Sequence, residues 1–283
     1  MFSRLFSRRR HDGVKLVMPP ITSRQNTRVK DAVRLRDRRH REKQQRILID
    51  GARELSRAIE AGVQLREVFV CPPLCDSDDA RRVLDLLPDS SAKLLEVTEP
   101  VFDKLAFGGR NEGVLAVAEM PRPTLDGIDL PEQPVVALLE RVEKPGNVGA
   151  VLRTADAAGV SALIAADART DLYNPNAIRA SLGTIFTVPV CSTTTDETLA
   201  WLRRQNLRII AARVDGSVPY TDVDYRGGTA FVLGSEAEGL SAAWQGDDVT
   251  AVSLPMHGTA DSLNVSVTAA VLFYEALRQR RFA

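Results

Sequence analysis

The hydrophobic pattern along the chain changes period again and again. From Ser23 onward, short runs rich in branched apolar residues alternate with segments whose apolar residues recur every three or four positions. Those are the patterns of strands and amphipathic helices. In the first third, "RILID" (46–50), "REVFV", "KLLEV" and "EGVLAVAE" read as strands. Between them, "GARELSRAIEAG" sets Leu55, Ala58 and Ile59 at helical spacing and stops at Gly62. "DDARRVLDLL" reads as a helix, and "EPVFDKLA" as another with Pro100 near its first turn. Ahead of these, Ser23 is placed to cap a basic helix. The pattern predicts a small α/β domain over 23–120. "MPRPTLDGIDLPEQP" then brings four prolines, which predicts a linker over 121–133.

A second series fills 134–283. "VVALLE" is followed by a helix from Asn147, "ALIAA", a helix through Ile178, "FTVPV", a helix around Leu199, "RIIAAR", "TAFVLG", "VTAVSLP" and a last helix. Strands of this composition alternating with helices predict a mainly parallel sheet covered on both faces. The last helix, "SLNVSVTAAVLFYEALRQR", has little polar stripe from Ala269 to Leu277, so most of it is expected to be buried. Its first turn nevertheless carries Ser262, Asn264 and Ser266, with Asp261 or Ser262 as the expected cap.

Composition narrows the class. The chain has 283 residues, 44% of them hydrophobic, enough for two cores. No apolar run reaches membrane-spanning length, so no membrane partner is expected. "MFSRLFSRRRHDGVK" lacks the apolar stretch of a secretory signal and carries only a weak, Arg- and Ser-rich likeness to an organelle-targeting segment. Cys71, Cys75 and Cys191 have no metal-binding spacing, and no metal is expected. They read as reduced, structural thiols, in keeping with a cytoplasmic protein.

Charge adds a partner. The formal net charge of zero divides unevenly: residues 1–46 hold 15 Lys and Arg against 4 Asp and Glu, the remainder 22 against 33. A basic arm (1–22) and a basic patterned segment on an acidic body point to a polyanion such as nucleic acid, with Arg34, Arg38 and Arg39 as candidate phosphate contacts.

Three stretches of the second series are too polar for their places, and each follows a strand, where open α/β sheets hold ligands. "ERVEKPGNVGAVLRTADAAG" offers Asn147, placed to cap a helix, and Arg153 nearly two turns on. "FVLGSEAEGLS" offers Gly234 and Gly239 for unusual backbone or close approach, and two glutamates that suit a neutral or cationic ligand better than phosphate. It matches neither standard phosphate-binding glycine pattern. "SLPMHGTADSLN" offers Leu254, Met256, His257 and the polar start of the last helix; a lone loop histidine such as His257 is more often not catalytic.

In this order the three stretches resemble the three motifs of the SpoU (TrmH-type) family of RNA ribose 2′-O-methyltransferases, in the SPOUT superfamily. "ASLGTIFTVPV" resembles the segment between the family's motifs, and residues 23–120 resemble the substrate-binding domain of many members. The resemblance implies an α/β fold with a C-terminal parallel sheet and a deep trefoil knot, beside a smaller N-terminal α/β domain. It also implies a homodimer with a composite active site and S-adenosylmethionine, held bent in the knot, as methyl donor. Carried over residue by residue, Asn147, Arg153, Glu236, Ser262 and Asn264 would form the catalytic set. Gly234, Leu254, Met256 and Leu263 would hold the cofactor.

The chemistry needs a ribose 2′-hydroxyl deprotonated and aligned with a sulfonium methyl. The family proposal gives the proton to Arg153. A guanidinium in water keeps its proton to above pH ~12, so binding the neighbouring phosphate is the less costly role. Ribosomal RNA is favoured over transfer RNA by the extra N-terminal domain. The competing readings are a non-catalytic RNA-binding or ribosome-assembly factor of the same fold, and a small-molecule enzyme of the nucleotide-binding α/β class.

Overall fold

The computed structural model describes residues 19–281 except Gly108 and Arg110. Most of the basic arm expected over 1–22 therefore lies outside the described residues. The chain divides into two compact units: one runs to Pro121 and takes in Tyr173–Arg179, the other comprises Arg122–Leu172 and Ala180–Ala283.

The first unit opens with two short basic helices, α1 (Thr27–Arg34) and α2 (Arg38–Gln44). The cap of α1 is Asn26, whose side chain accepts from Arg28 N–H, and not Ser23; Ser23 sits three residues too early and accepts from Gln25 N–H instead. Strands β1 (Arg46–Asp50), β2 (Leu65–Val70), β3 (Lys93–Glu96) and β4 (Val114–Glu119) form a mixed sheet ordered β1-β4-β2-β3. Here β4 is antiparallel to both neighbours, and β2 and β3 are parallel. Helices α3 (Ala52–Glu60), α4 (Asp78–Leu86) and α5 (Glu99–Leu105) connect them. Val29, Ala32 and Leu35 pack with Phe69, Leu115 and Phe102 in one core.

In the second unit, seven parallel strands are ordered β7-β6-β5-β10-β8-β11-β9. They are β5 (Val135–Glu140), β6 (Ala162–Ala166), β7 (Val190–Thr193), β8 (Arg208–Ala212), β9 (Val218–Pro219), β10 (Thr229–Leu233) and β11 (Val249–Ser253). Helices α6 (Pro145–Ala158), α8 (Thr195–Arg204) and α9 (Val265–Arg281) complete it, while α7 (Pro175–Ala180) falls, but for its last residue, in the stretch that groups with the first unit. Val136, Leu138, Ile164 and Val232 face Trp201 and Trp244. Alternation along the strand sends Phe231 to the opposite side, against Phe273 of α9 with ring centroids 5.9 Å apart. The proline-rich stretch adds Leu125, Ile128 and Leu130 to this core.

Four further local expectations are corrected. "FTVPV" is not the strand: Thr184–Phe186 form a 3-10 turn and β7 begins at Val190, after Pro189, which has no N–H to give a sheet ladder. Helix α6 begins at Pro145, whose fixed φ suits the first helical position, so Asn147 lies inside the helix and does not cap it. Helix α9 begins at Val265, so Ser262 and Asn264 precede it. Nor is most of α9 buried: only Val265, Ala269, Leu272, Phe273 and Ala276 are, while Val267 and Tyr274 stay 47% and 50% exposed.

One crossing organises the ligand end of the sheet. β8 and β9 are consecutive in the chain, yet β11 lies between them, so residues 213–217 must pass over the end of β11. Gly216 makes that passage: a Cβ there would sit 2.5 Å from the Val252 carbonyl carbon. Only a residue without a side chain lets the two backbones meet so closely.

Candidate active site

The carboxyl ends of β8, β10 and β11 surround a cavity of about 480 Å³. Each strand contributes the residues that follow it. After β8 come Arg213, Val214 and Asp215; after β10, Gly234 to Glu236 and Glu238 to Leu240; after β11, Leu254, Met256 and Asp261 to Leu263. Six residues that the family resemblance assigns to the site thus share this wall: Gly234, Glu236, Leu254, Met256, Ser262 and Leu263, with Gly239 and Asp261 beside them.

The β10 loop is tightly folded. Gly239 takes φ +66°, and its N–H donates to the Ser235 carbonyl at 3.0 Å. The Ser235 hydroxyl accepts from Glu238 N–H at 3.2 Å. Gly234 is pinched against this turn: a Cβ there would lie 2.3 Å from the Gly239 carbonyl carbon. The glycine reading of this stretch thus resolves into two different needs, close approach at Gly234 and left-handed backbone at Gly239.

Asn147 and Asn264 do not line the cavity but are tied to Glu236, which does. Asn147 Nδ2 donates to Glu236 Oε1. Asn264 Nδ2 donates to Asn147 Oδ1 at 3.4 Å. Asn264 Oδ1 accepts from Ser266 N–H at 2.9 Å and from the Ser266 hydroxyl at 2.7 Å. Asn264, not Asp261 or Ser262, therefore caps the last helix. The chain of bonds has one direction, from Ser266 through both amides to the carboxylate, which fixes both amide orientations. It joins residues from all three polar stretches.

Arg153 stands apart. It is exposed on α6, and its side chain makes no hydrogen bond or ion pair among the described residues. Ser262 and His257 are exposed in the loop after β11. In the first unit, the basic residues divide into two kinds. Arg36 Nη2 donates to the carbonyls of Lys104, Leu105 and Ala106, and buried Arg41 donates to those of Leu35 and Arg36. Arg34, Arg38 and Arg39 are exposed; Arg34 pairs with Asp31 and Arg38 with Glu42.

Sequence reasoning missed four residues around the cavity. Arg213 grips Asp215 with two bonds of 2.8 and 2.9 Å, which holds the Asp215 carboxyl below its ordinary range. Glu140 and Ser241 fix the β10 loop from below. For Glu140 a signal existed: it is the one charged residue of the apolar run "VVALLE".

The residues around the cavity suit a ligand with a cationic centre and an apolar, flat part. Asp215 is paired with Arg213 and Glu238 with Arg169, while Glu236, held by Asn147, and Asp261 stand among Leu233, Leu254, Met256 and Leu263. The volume is in the range of small-molecule sites, about 300–1,000 Å³.

Residues 134–274 match the SpoU rRNA Methylase family, and residues 26–116 match the MRM3-like substrate binding domain. The 23S rRNA (uridine(2479)-2′-O)-methyltransferase of Streptomyces viridochromogenes is 32% identical over 260 residues, 87% of each chain. A crystal structure described as an RNA 2′-O ribose methyltransferase superposes with a TM-score of 0.80 at 40% identity, covering 93% of this chain and all of the other (100%). The SpoU methyltransferase AviRb from Streptomyces viridochromogenes, in complex with the cofactor AdoMet, superposes with a TM-score of 0.81 at 30% identity, covering 91% and 99%. With two family matches that between them span both units, and a relative alike over nearly the whole chain, the protein belongs to the SpoU rRNA methylase family.

Proposed function

We propose that the protein is an S-adenosylmethionine-dependent RNA 2′-O-ribose methyltransferase that acts on ribosomal RNA, as a homodimer, in the cytoplasm. The observation that carries this reading is the directed chain Ser266–Asn264–Asn147–Glu236 at the rim of a cavity where three strands end. Such a chain orients polar atoms beside a reaction without exposing a strong base.

The donor fits what surrounds the cavity. When bound, it supplies a methyl group on a positively charged sulfur. Backbone at Gly234, Leu254 and Leu263 would hold its adenine and ribose end, with Met256 as an apolar wall. Glu236, held by Asn147, would set negative charge toward the cationic centre, and Ser262 would offer a hydroxyl from the same wall. Arg153 has its guanidinium free for an RNA phosphate beside the target ribose, where it would steady charge developing on the 2′-oxygen. The crossing of residues 213–217 over β11, closed by Gly216, supports a trefoil threading of the C-terminal segment.

Two surfaces support the remaining parts. Val267 and Tyr274 give α9 an exposed apolar face, the kind a second copy would cover. The domain over 26–116 carries exposed Arg34, Arg38 and Arg39, which suit phosphate contacts. Replacing these three by Gln is expected to lower the log–log salt slope of RNA binding by about 2–3. An unchanged slope would remove them from the RNA contacts.

The direct test is transfer of labelled methyl groups to ribosomal RNA, followed by alkaline hydrolysis. A 2′-O-methyl blocks alkaline cleavage at its own phosphodiester, so the label should be recovered in an alkali-resistant dinucleotide. Label recovered in mononucleotides would mean base methylation and contradict the reading.

A further inference from the structure

Glu140 is the last residue of β5 and is 0% exposed. A buried carboxylate is costly unless hydrogen bonds satisfy both oxygens. Here they do, and the donors are neutral. Oε2 accepts from Ser241 N–H at 2.7 Å; Oε1 accepts from the Ser241 hydroxyl at 2.6 Å and from the Thr195 hydroxyl at 3.1 Å. Ser241 lies 101 residues away in sequence and immediately follows the loop that walls the cavity. The other foot of that loop stands on the same strand end, since Leu233 of β10 is in register with Leu139 of β5. Residues 234–240 are therefore an arch with both feet on the terminus of β5. Its crown carries Glu236, which Asn147 holds from the helix that follows β5.

We propose that Glu140 is a positioning residue for the methyl donor: through Ser241 it fixes the arch that bears Gly234 and Glu236, without touching the donor. The inference rests on the reading of the cavity as the S-adenosylmethionine pocket. The Gln side chain has nearly the same shape as Glu, but its NH₂ has no acceptor capacity, so one of the two oxygens that receive Ser241 is lost. Thr195 serves as the internal comparison, because Oε1 keeps the Ser241 hydroxyl when Thr195 is removed.

The test uses the full chain with Glu140→Gln, Ser241→Ala and Thr195→Val, read in two ways. Amide hydrogen exchange without donor should speed up across 234–241 in Glu140→Gln, and less so in Ser241→Ala. S-adenosylmethionine titration should show about tenfold weaker binding in Glu140→Gln and a smaller loss in Ser241→Ala, with kcat at saturating donor within about threefold of the wild type. Thr195→Val should lower Tm and leave donor affinity unchanged. Two results would overturn the proposal: unchanged arch exchange and donor affinity in Glu140→Gln, or a loss of affinity in Thr195→Val as large as in Glu140→Gln. Should Glu140→Gln not fold, Ser241→Ala decides alone, and wild-type exchange and affinity in it would likewise overturn the proposal. Failure of the wild type to bind donor would refute the proposed function instead, while the exchange arm still decides whether Glu140 anchors the arch.

Discussion

Of the three stretches that wall the cavity, those after β10 and β11 are built in opposite ways. The arch after β10 is closed on itself by Ser235 and Gly239 and anchored to Glu140. The segment after β11 has all of residues 255–264 exposed, and among the described residues its hydrogen bonds come from Asn264 at its end. One wall is finished by the fold; the other is shaped by little within its own chain. The ligand is therefore expected to be recognised on the hydrogen-bonded side, with any ordering of the exposed wall drawing on binding free energy.

The largest effect should come from cutting the link between the two walls. Asn264→Ala removes the amide that joins Ser266 to Asn147 and also the cap of α9. Methyl transfer is expected to fall by about 100-fold, against a stability loss of only ~1 kcal/mol. A rate loss no larger than the stability loss explains would mean that the chain of bonds is structural. Arg153→Lys probes a group outside both walls. If positive charge is what matters, kcat/KM should fall roughly tenfold and no further; complete loss would assign the role to the planar fork of the guanidinium, or to proton transfer.

A pair of glycine substitutions sharpens the comparison directly. Gly234→Ala drives a methyl group into the Gly239 carbonyl, so the arch must shift. Donor affinity should drop about tenfold and stability by about 1–3 kcal/mol, both readable by titration and thermal melts. Gly258 in the open wall has nothing within 4 Å of where a Cβ would be. Gly258→Ala should change stability by no more than ~0.5 kcal/mol. Equal effects at the two positions would erase the distinction between the walls.

Much of this molecule was legible in the chain because periodicity reports burial, and parallel strands buried on both faces are hard to mistake. The errors sit where one residue changes the local rule. Pro189 moves the start of β7, Pro145 takes the first helical position from Asn147, and Asn264 takes the cap from Ser262. The sharing of one cavity by Gly234, Glu236, Leu254 and Ser262 followed from their places after strands and from family resemblance. What no pattern revealed is which polar groups are spent on the fold. Arg280 looks like any terminal cation, yet it donates to the carbonyls of Gln133, Tyr225 and Gly227. Arg41 is buried in a stretch that reads as an RNA surface. Glu140 and Ser241 meet only through a pairing 101 residues apart. Long-range hydrogen bonds leave no period in a sequence.

The central claim is that one wall is preformed and the other is completed by the ligand. Amide hydrogen exchange with and without saturating S-adenosylmethionine tests it most directly. The account predicts that 234–241 is protected in both conditions, while 254–264 exchanges fast alone and gains protection with donor. Protection of 254–264 without donor, or fast exchange of 234–241 without it, would contradict the account.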